Sequence, residues 1–427
     1  MRKALALSFS AQIIAALAVL LLNVLVARTF GPEGTGLLFE LLMFVMVASV
    51  IARIGMDNVL TRHVSVAYAN NDFWLTSQIL RVASRAGLIA AGVAVVLTIT
   101  VYWVWKGSLG IKVLVLFSIP FIVLTALYSS GLRGMGKAWA YPLLGQAVMP
   151  IFVSLSILLY WALDIKASID QLFPHYVLGA FIAFLLARWM WNSGVARLAS
   201  QPPNASEKQE MTWNKLWTSC QHLFPVSVLN LAVFPWAGIL FLSVYGSTLA
   251  DVGIYAVVER LASQIRWIVT SVGSVVAPKL SVLHKQGENL ELVRLVRKSS
   301  MLITIMVLPI IASLYFFDES ILLAFGEEFV KGAPVLDILL IGGLVNAITS
   351  NAGILLMMTG YEKETKHALY ASALSLLLCM WVLIPFLGVT GAAISYSLAI
   401  ILQNGLLAYF VNKRLEINMM PRLGGLK

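Results

Sequence analysis

The apolar run VGIYAVVERLASQIRWIV, residues 252–269, holds Glu259, Arg260 and Arg266. Carboxylates and guanidiniums bind protons, cations and phosphates. Inside a membrane helix each also costs about 2.5–3.5 kcal/mol on insertion scales. On a helix, positions i, i+4, i+7 and i+11 share a face. From Glu259 these are Ser263, Arg266 and Thr270, then Gly273 or Ser274. The other faces carry Ile254, Val257, Val258, Leu261, Ile265 and Ile268. Such a polar stripe faces protein or a wet cavity, not lipid. At 1.5 Å per residue Arg266 lies about 20 Å from either end of its run, too far to reach the interface. Glu259 and Arg266 are separated by about 10 Å along the axis, so no direct pair between them is expected. Arg260 points about 100° away from Glu259, toward packing or the interior of its own bundle. The stripe therefore has two uses: a ligand or ion site, or an ion pair to another helix that pins the bundle.

Other apolar runs carry weaker polar faces. Gln12 and Asn23 are eleven residues apart, hence on one face, and Asn346 shares a face with Ser350, close to Asn351. Gln146 precedes Pro150. Glu40 falls near the outer end of the second run; Arg53 falls near its inner end, within reach of the interface, with Asp57 one turn on. Lone Asn and Gln also serve as glue between helices. Glu259 and Glu40 are the candidates for binding a coupling proton or sodium ion. GLRGMGKA, 131–138, fits GxxxxGK but has Ala138 where a phosphate loop needs Ser or Thr, and no strand precedes it. Five scattered histidines and two cysteines, Cys220 and Cys379, give no metal, haem or disulfide pattern. No cofactor or metal is expected.

The elements that must position these residues follow from composition. Sixty per cent of the chain is hydrophobic and 12% charged, against roughly a quarter charged in soluble domains. Lipid must be the solvent. Apolar runs long enough to span as helices fall near 4–27, 37–57, 84–105, 111–130, 142–163, 175–193, 219–244, 253–277, 299–317, 334–358, 368–387 and 390–411. The runs are too long for strands and do not alternate. The first has a basic tip, MRK, but at about 24 residues exceeds a signal core of about 7–15, and reads as an uncleaved span. With the N-terminus inside, 22 of the 30 Lys and Arg residues fall in cytoplasmic segments and five in outer ones, as the positive-inside rule requires. The C-terminus is then also cytoplasmic, and the net charge of +10 orients the chain in a membrane rather than marking a nucleic-acid surface. The segment QPPNASEKQE reads as a linker; its Asn204 glycosylation triplet falls on the cytoplasmic side.

The predicted fold is an all-α polytopic membrane protein of about twelve transmembrane helices in two six-helix lobes with a central cavity. Residues 1–195 form the first lobe, 196–218 a cytoplasmic linker, 219–412 the second lobe and 413–427 a cytoplasmic tail. NVLTRHVS (58–65) parallels SVVAPKLS (274–281), and RGMGK (133–137) parallels MMTGYEK (357–363). Six spans per half give both halves one orientation, hence a parallel repeat about the membrane normal.

RTFGPEGTGLLFELLMFVMVASVIARIGMDNVLTRHVS resembles the first hairpin of oligosaccharide flippases. ADVGIYAVVERLASQIRWIVTSVGSVVAPKLSVLH is similar to their seventh-to-eighth span signature, and FGEEFVKGAPVLDILLIGGLVNAITSNAGILLMMTGYEK to their ninth-to-tenth region. The resemblance is to the polysaccharide-transport family of the superfamily that also holds multidrug extruders and lipid II flippases. It implies two lobes rocking between inward-open and outward-open states in a bacterial inner membrane. The implied cargo is undecaprenyl-diphosphate-linked oligosaccharide, moved from the cytoplasmic to the periplasmic leaflet, with a glycan polymerase and chain-length proteins as partners. It also implies that arginines of the second and eighth spans, here Arg53, Arg260 and Arg266, line a cationic cavity. Where lipid II flippases carry first-span charges, this chain has Leu22 and Asn23.

Arginine forks suit diphosphates, and an inside-negative potential favours outward anion movement by about 2.3 kcal/mol per charge per 100 mV. A multidrug or toxin extruder is the alternative, although cationic drugs favour an acidic cavity and this one reads basic. A membrane-embedded polymerase or ligase would need a sizeable outer catalytic loop, and the outer loops are short; no enzymatic activity is expected.

Overall fold

The computed structural model describes residues 2–107, 110–196, 212–286, 288–349 and 351–415. Most of the expected linker and tail, the Asn204 triplet and Ser350 lie outside the described residues, as does the side chain of Thr270. Among the described residues there are helices and turns and no strand.

Nine helices among the described residues are long and apolar enough to cross a membrane. Two of them are double length. The helix α1, Arg2–Ala52, breaks at Gly31, with φ 64° and ψ −173°. Proline at 32 drives its predecessor to extended ψ, and only glycine takes the positive φ without strain. The last helix, Glu362–Leu415, breaks in the same way at Gly388, φ 55°. The helix Leu249–Gln286 is not among the nine, because its polar stripe dilutes its hydropathy. Two passes each for the broken helices, and one for Leu249–Gln286, give the twelve spans expected from the sequence.

The other helices include α2 (Met56–Ala69), α3 (Phe73–Lys106), α4 (Ile119–Gly134), α5 (Val148–Ala162), α6 (Ile169–Ala196) and α7 (Phe234–Val244). They are followed by α8 (Leu249–Gln286), α9 (Asn289–Phe316), α10 (Ala333–Thr349), α11 (Asn351–Met358) and α12 (Glu362–Leu415). The expected span 334–358 is helical over Ala333–Thr349 and Asn351–Met358. Wide π turns precede α5 at Leu143–Ala147 and α7 at Leu229–Val233, a few residues before the prolines Pro150 and Pro235. A missing proline N–H disturbs the ordinary helical ladder.

By contact the chain divides into two compact units, Met1–Trp236 and Ala237–Lys427. In the first, Ala15 and Ala18 of α1 pack on Ala147 and Leu143, small residues that permit close helix approach. Gly55, φ 73°, tucks against the backbone of Phe224, where a Cβ would stand 2.9 Å from its nitrogen. In the second, α8, α9, α11 and α12 share a core built on Val276, Leu280, Leu292, Val296, Leu355, Leu356 and Val411.

Candidate functional site

Two adjacent glycines of α10 let its neighbours close in. A Cβ on Gly342 would stand 3.1 Å from the Cα of Ser397, and one on Gly343 would stand 2.9 Å from Ile265 Cδ1. Ser397 seals the first contact by donating its hydroxyl to Ile338 O at 2.7 Å. Small residues at such positions bring helix backbones together. Side chains of α8, α10 and α12 consequently converge inside the second unit.

At that convergence Arg266 donates from Nη2 to Glu259 Oε1 at 3.1 Å, and from Nη1 to the hydroxyl of Tyr396. The direct Glu259–Arg266 pair corrects the expectation from axial spacing. Helical side chains tilt toward the N-terminus, so the long arginine reaches back over the gap toward a residue that precedes it. Its guanidinium also lies 5.9 Å from the Tyr396 ring centroid, within cation–π range. Arg260 joins from the other side, its Nε 3.9 Å from Glu259 Oε2. Arg260 is therefore part of the charged cluster and not only of the packing. Glu259 is buried and is shared by two guanidiniums; these three side chains together carry one net positive charge.

Glu259, Arg266 and Tyr396 line a small cavity with Ser263, Asn346, Leu339 and Ile400. Its volume is about 20 Å³, room for one water-sized species and far too little for a sugar. Ser263 donates back to Arg260 O at 2.9 Å. Asn346 accepts from Asn404 at 3.4 Å. Glu259, Ser263, Arg266, Arg260 and Asn346 are thus brought together, all within one unit. Tyr396 and Asn404 are additions that the sequence does not point to: Tyr396 is 130 residues from Arg266 and sits in an unremarkable apolar run. The Gly342-Gly343 doublet was the one local signal of close packing there.

The remaining candidates belong to the first unit. Arg53 and Asp57 form an i, i+4 pair at 3.0 Å. Beside them Arg133 donates to Thr61 Oγ1 at 2.8 and 3.0 Å, to Asp57 O at 3.3 Å and to Asn58 Oδ1 at 3.3 Å, and lies 4.6 Å from the Tyr141 ring centroid. The GLRGMGKA segment is thus a helix exit whose arginine staples α4 to α2. Glu40 is buried with Lys106 Nζ at 2.8 Å. Gln12 donates to Gln146 at 3.4 Å, bridging α1 to the π turn before α5, and Asn23 is buried within α1.

A family model described as polysaccharide biosynthesis protein matches residues 1–284, about two thirds of the chain. The chain belongs to that family. Comparison with curated proteins yields no match. Among solved structures, this family member superposes on an inward-facing multidrug resistance MATE family transporter of the MOP superfamily. The TM-score is 0.67 at 13% identity, covering 96% of this chain and 98% of that one. The lipid II flippase MurJ, inward closed, gives 0.67 at 15%, over 96% and 88%. The Vibrio cholerae MATE transporter VcmN in its bent form gives 0.60 at 15%, over 97% of each chain. At these identities the likeness is one of fold: an all-helical, multi-pass membrane protein with the architecture of MOP-superfamily transporters.

Proposed function

We propose that this polysaccharide biosynthesis family member is an alternating-access flippase. Its cargo is undecaprenyl-diphosphate-linked oligosaccharide, carried from the cytoplasmic to the periplasmic leaflet of a bacterial inner membrane with both termini cytoplasmic. The two lobes are residues 1–195 and 219–412, joined by the 196–218 linker. The observation that carries this reading is the excess positive charge of the Glu259, Arg260 and Arg266 cluster. Two partly buried guanidiniums sharing one carboxylate are stabilised by a further anion, and a diphosphate supplies one with oxygens matched to the arginine fork. In the absence of cargo Glu259 occupies Arg266; the diphosphate displaces it. A multidrug extruder with cationic substrates would need the opposite sign of charge.

Glu259 is also the better coupling residue. A sodium ion meets the same guanidinium repulsion as a proton, about 4 kcal/mol per like charge at 4 Å and an effective dielectric of 20, and would in addition have to fill a cavity of 20 Å³ that holds one water-sized species. A proton needs no room and simply neutralises the carboxylate, releasing Arg266 for the cargo. Glu40 already holds Lys106 as a fixed counter-charge, which suits an outer structural contact.

The test is export of surface polysaccharide by a strain carrying only the variant protein, at matched membrane levels. Arg266→Ala is expected to lower export at least about tenfold, and Arg266→Lys to fall between, since lysine keeps charge but loses the fork. Undiminished export with alanine would remove Arg266 from the transport site.

A further inference from the structure

A second cavity lies at the turn between α8 and α9. It is an open groove of about 460 Å³, within the range of ligand pockets. Lys279, Val282 and Leu283 enter from α8, and Glu291, Arg294, Leu295 and Lys298 from α9. These spacings of three, four and seven put each set on one helix face. Leu283 and Leu295 rest on the fixed core of Val276, Leu280, Leu292 and Val296, so the floor is apolar and anchored. The rim carries three cations and one acid. Glu291 accepts from Arg294, which leaves the rim with a net charge of +2.

The position of this rim in the membrane follows from α9. Immediately past Lys298 the helix exposes Met301, Leu302 and Ile305, an apolar face suited to hydrocarbon. The basic rim therefore stands at the headgroup level, with the apolar floor turned toward acyl chains. We infer that this cavity binds the phosphate headgroup of an anionic phospholipid from the surrounding leaflet, of phosphatidylglycerol or cardiolipin chemistry. Cations at this level attract phosphate, while the floor accepts the glycerol and first acyl carbons, a combination that a free phosphate would leave half used. A polyprenyl diphosphate shares the phosphate chemistry. Lys279, however, lies about 140° round α8 from Arg266 at 100° per residue, on the side away from the Glu259–Arg266 stripe. The site is thus independent of the proposed cargo and stands or falls separately from it.

The experiment is native mass spectrometry of the full chain released from nanodiscs of phosphatidylethanolamine and phosphatidylglycerol, reading the ratio of the two bound lipids. Each cation removed should lower phosphatidylglycerol retention about fivefold, so the triple variant Lys279→Gln, Arg294→Gln, Lys298→Gln should lose it by about 100-fold. Glu291→Gln should raise it about fivefold. A control triple, Arg62→Gln, Arg81→Gln, Arg85→Gln, removes three exposed cations elsewhere and should leave the ratio unchanged. Should the first triple fold poorly, Glu291→Gln and a salt series on the unaltered chain decide the matter. Native retention in the first triple, an equal loss in the control, no gain with Glu291→Gln, or no loss of phosphatidylglycerol with salt would overturn the inference. So would displacement of phosphatidylglycerol from the unaltered chain by added polyprenyl diphosphate, which would make the cavity a cargo site.

Discussion

Replacing Glu259 by Gln leaves Arg260 and Arg266 without the carboxylate they share. At an effective dielectric of 20, a pair 3.1 Å apart attracts by about 5 kcal/mol and one 3.9 Å apart by about 4 kcal/mol; in bulk water both fall to about 1 kcal/mol. Glu259 is almost fully buried, while the Arg266 side chain is 33% and the Arg260 side chain 22% exposed, so each attraction falls between those limits, near 2–3 kcal/mol. Glu259→Gln forfeits both and is expected to destabilise by about 3–5 kcal/mol, the usual cost of stranding a buried charge. Arg266→Gln leaves Glu259 with Arg260 and is expected to cost about 2 kcal/mol, including the lost hydrogen bond to Tyr396. The double variant should cost less than the sum by at least about 1 kcal/mol. Equilibrium unfolding in mixed detergent micelles measures all three. If Arg266→Gln costs as much as Glu259→Gln, or the two add, the shared-carboxylate geometry is wrong.

Two further outcomes follow from packing and titration. Gly342→Val drives a branched side chain into the Ser397 backbone and is expected to cost about 1–3 kcal/mol; accessibility of a cysteine placed at Asn346 should rise in the same variant, and an unchanged midpoint with unchanged accessibility would refute close α10–α12 contact. In α2, outside the apolar spans, burial and then the neighbouring charge of Arg62 hold the His63 imidazole below its ordinary value of 6.5. The unfolded chain therefore takes up a proton that the folded chain resists, so stability present above about pH 6.5 is lost as pH falls through the lower folded value. His63→Gln should flatten the decline of the melting midpoint between about pH 7.5 and 5.5; an equally steep decline would exclude His63 as its source.

The elements of the fold are legible because lipid imposes them. Run length and hydropathy identify the spans, FGPEGTG marks the break in α1, and the three charges of the run 252–269 in α8 stand out against its apolar background. The i, i+4, i+7 rule places Glu259, Ser263 and Arg266 on one face, where the cavity lies. What spacing along one helix does not supply is reach and partnership. The axial distance from Glu259 to Arg266 ignores the backward tilt of a long side chain, and Tyr396 comes from a distant helix through contacts that only packing sets. Similarly, the basic exit Arg133 reads as an orientation signal, whereas in three dimensions its guanidinium fork is occupied by Thr61, Asn58 and the Asp57 carbonyl. The residues that permit these meetings are glycines, whose role depends on neighbours the local sequence does not name.

The break at Gly388 sets a lever. Tyr396 stands eight residues beyond it, about 12 Å along the helix. A swing of about 10° at that pivot would sweep the phenol sideways by about 2 Å, enough to part a hydrogen bond whose useful range spans about half an ångström. The contact on Arg266 is therefore geared to the angle between the two arms of α12: a small change of tilt suffices to let the guanidinium go.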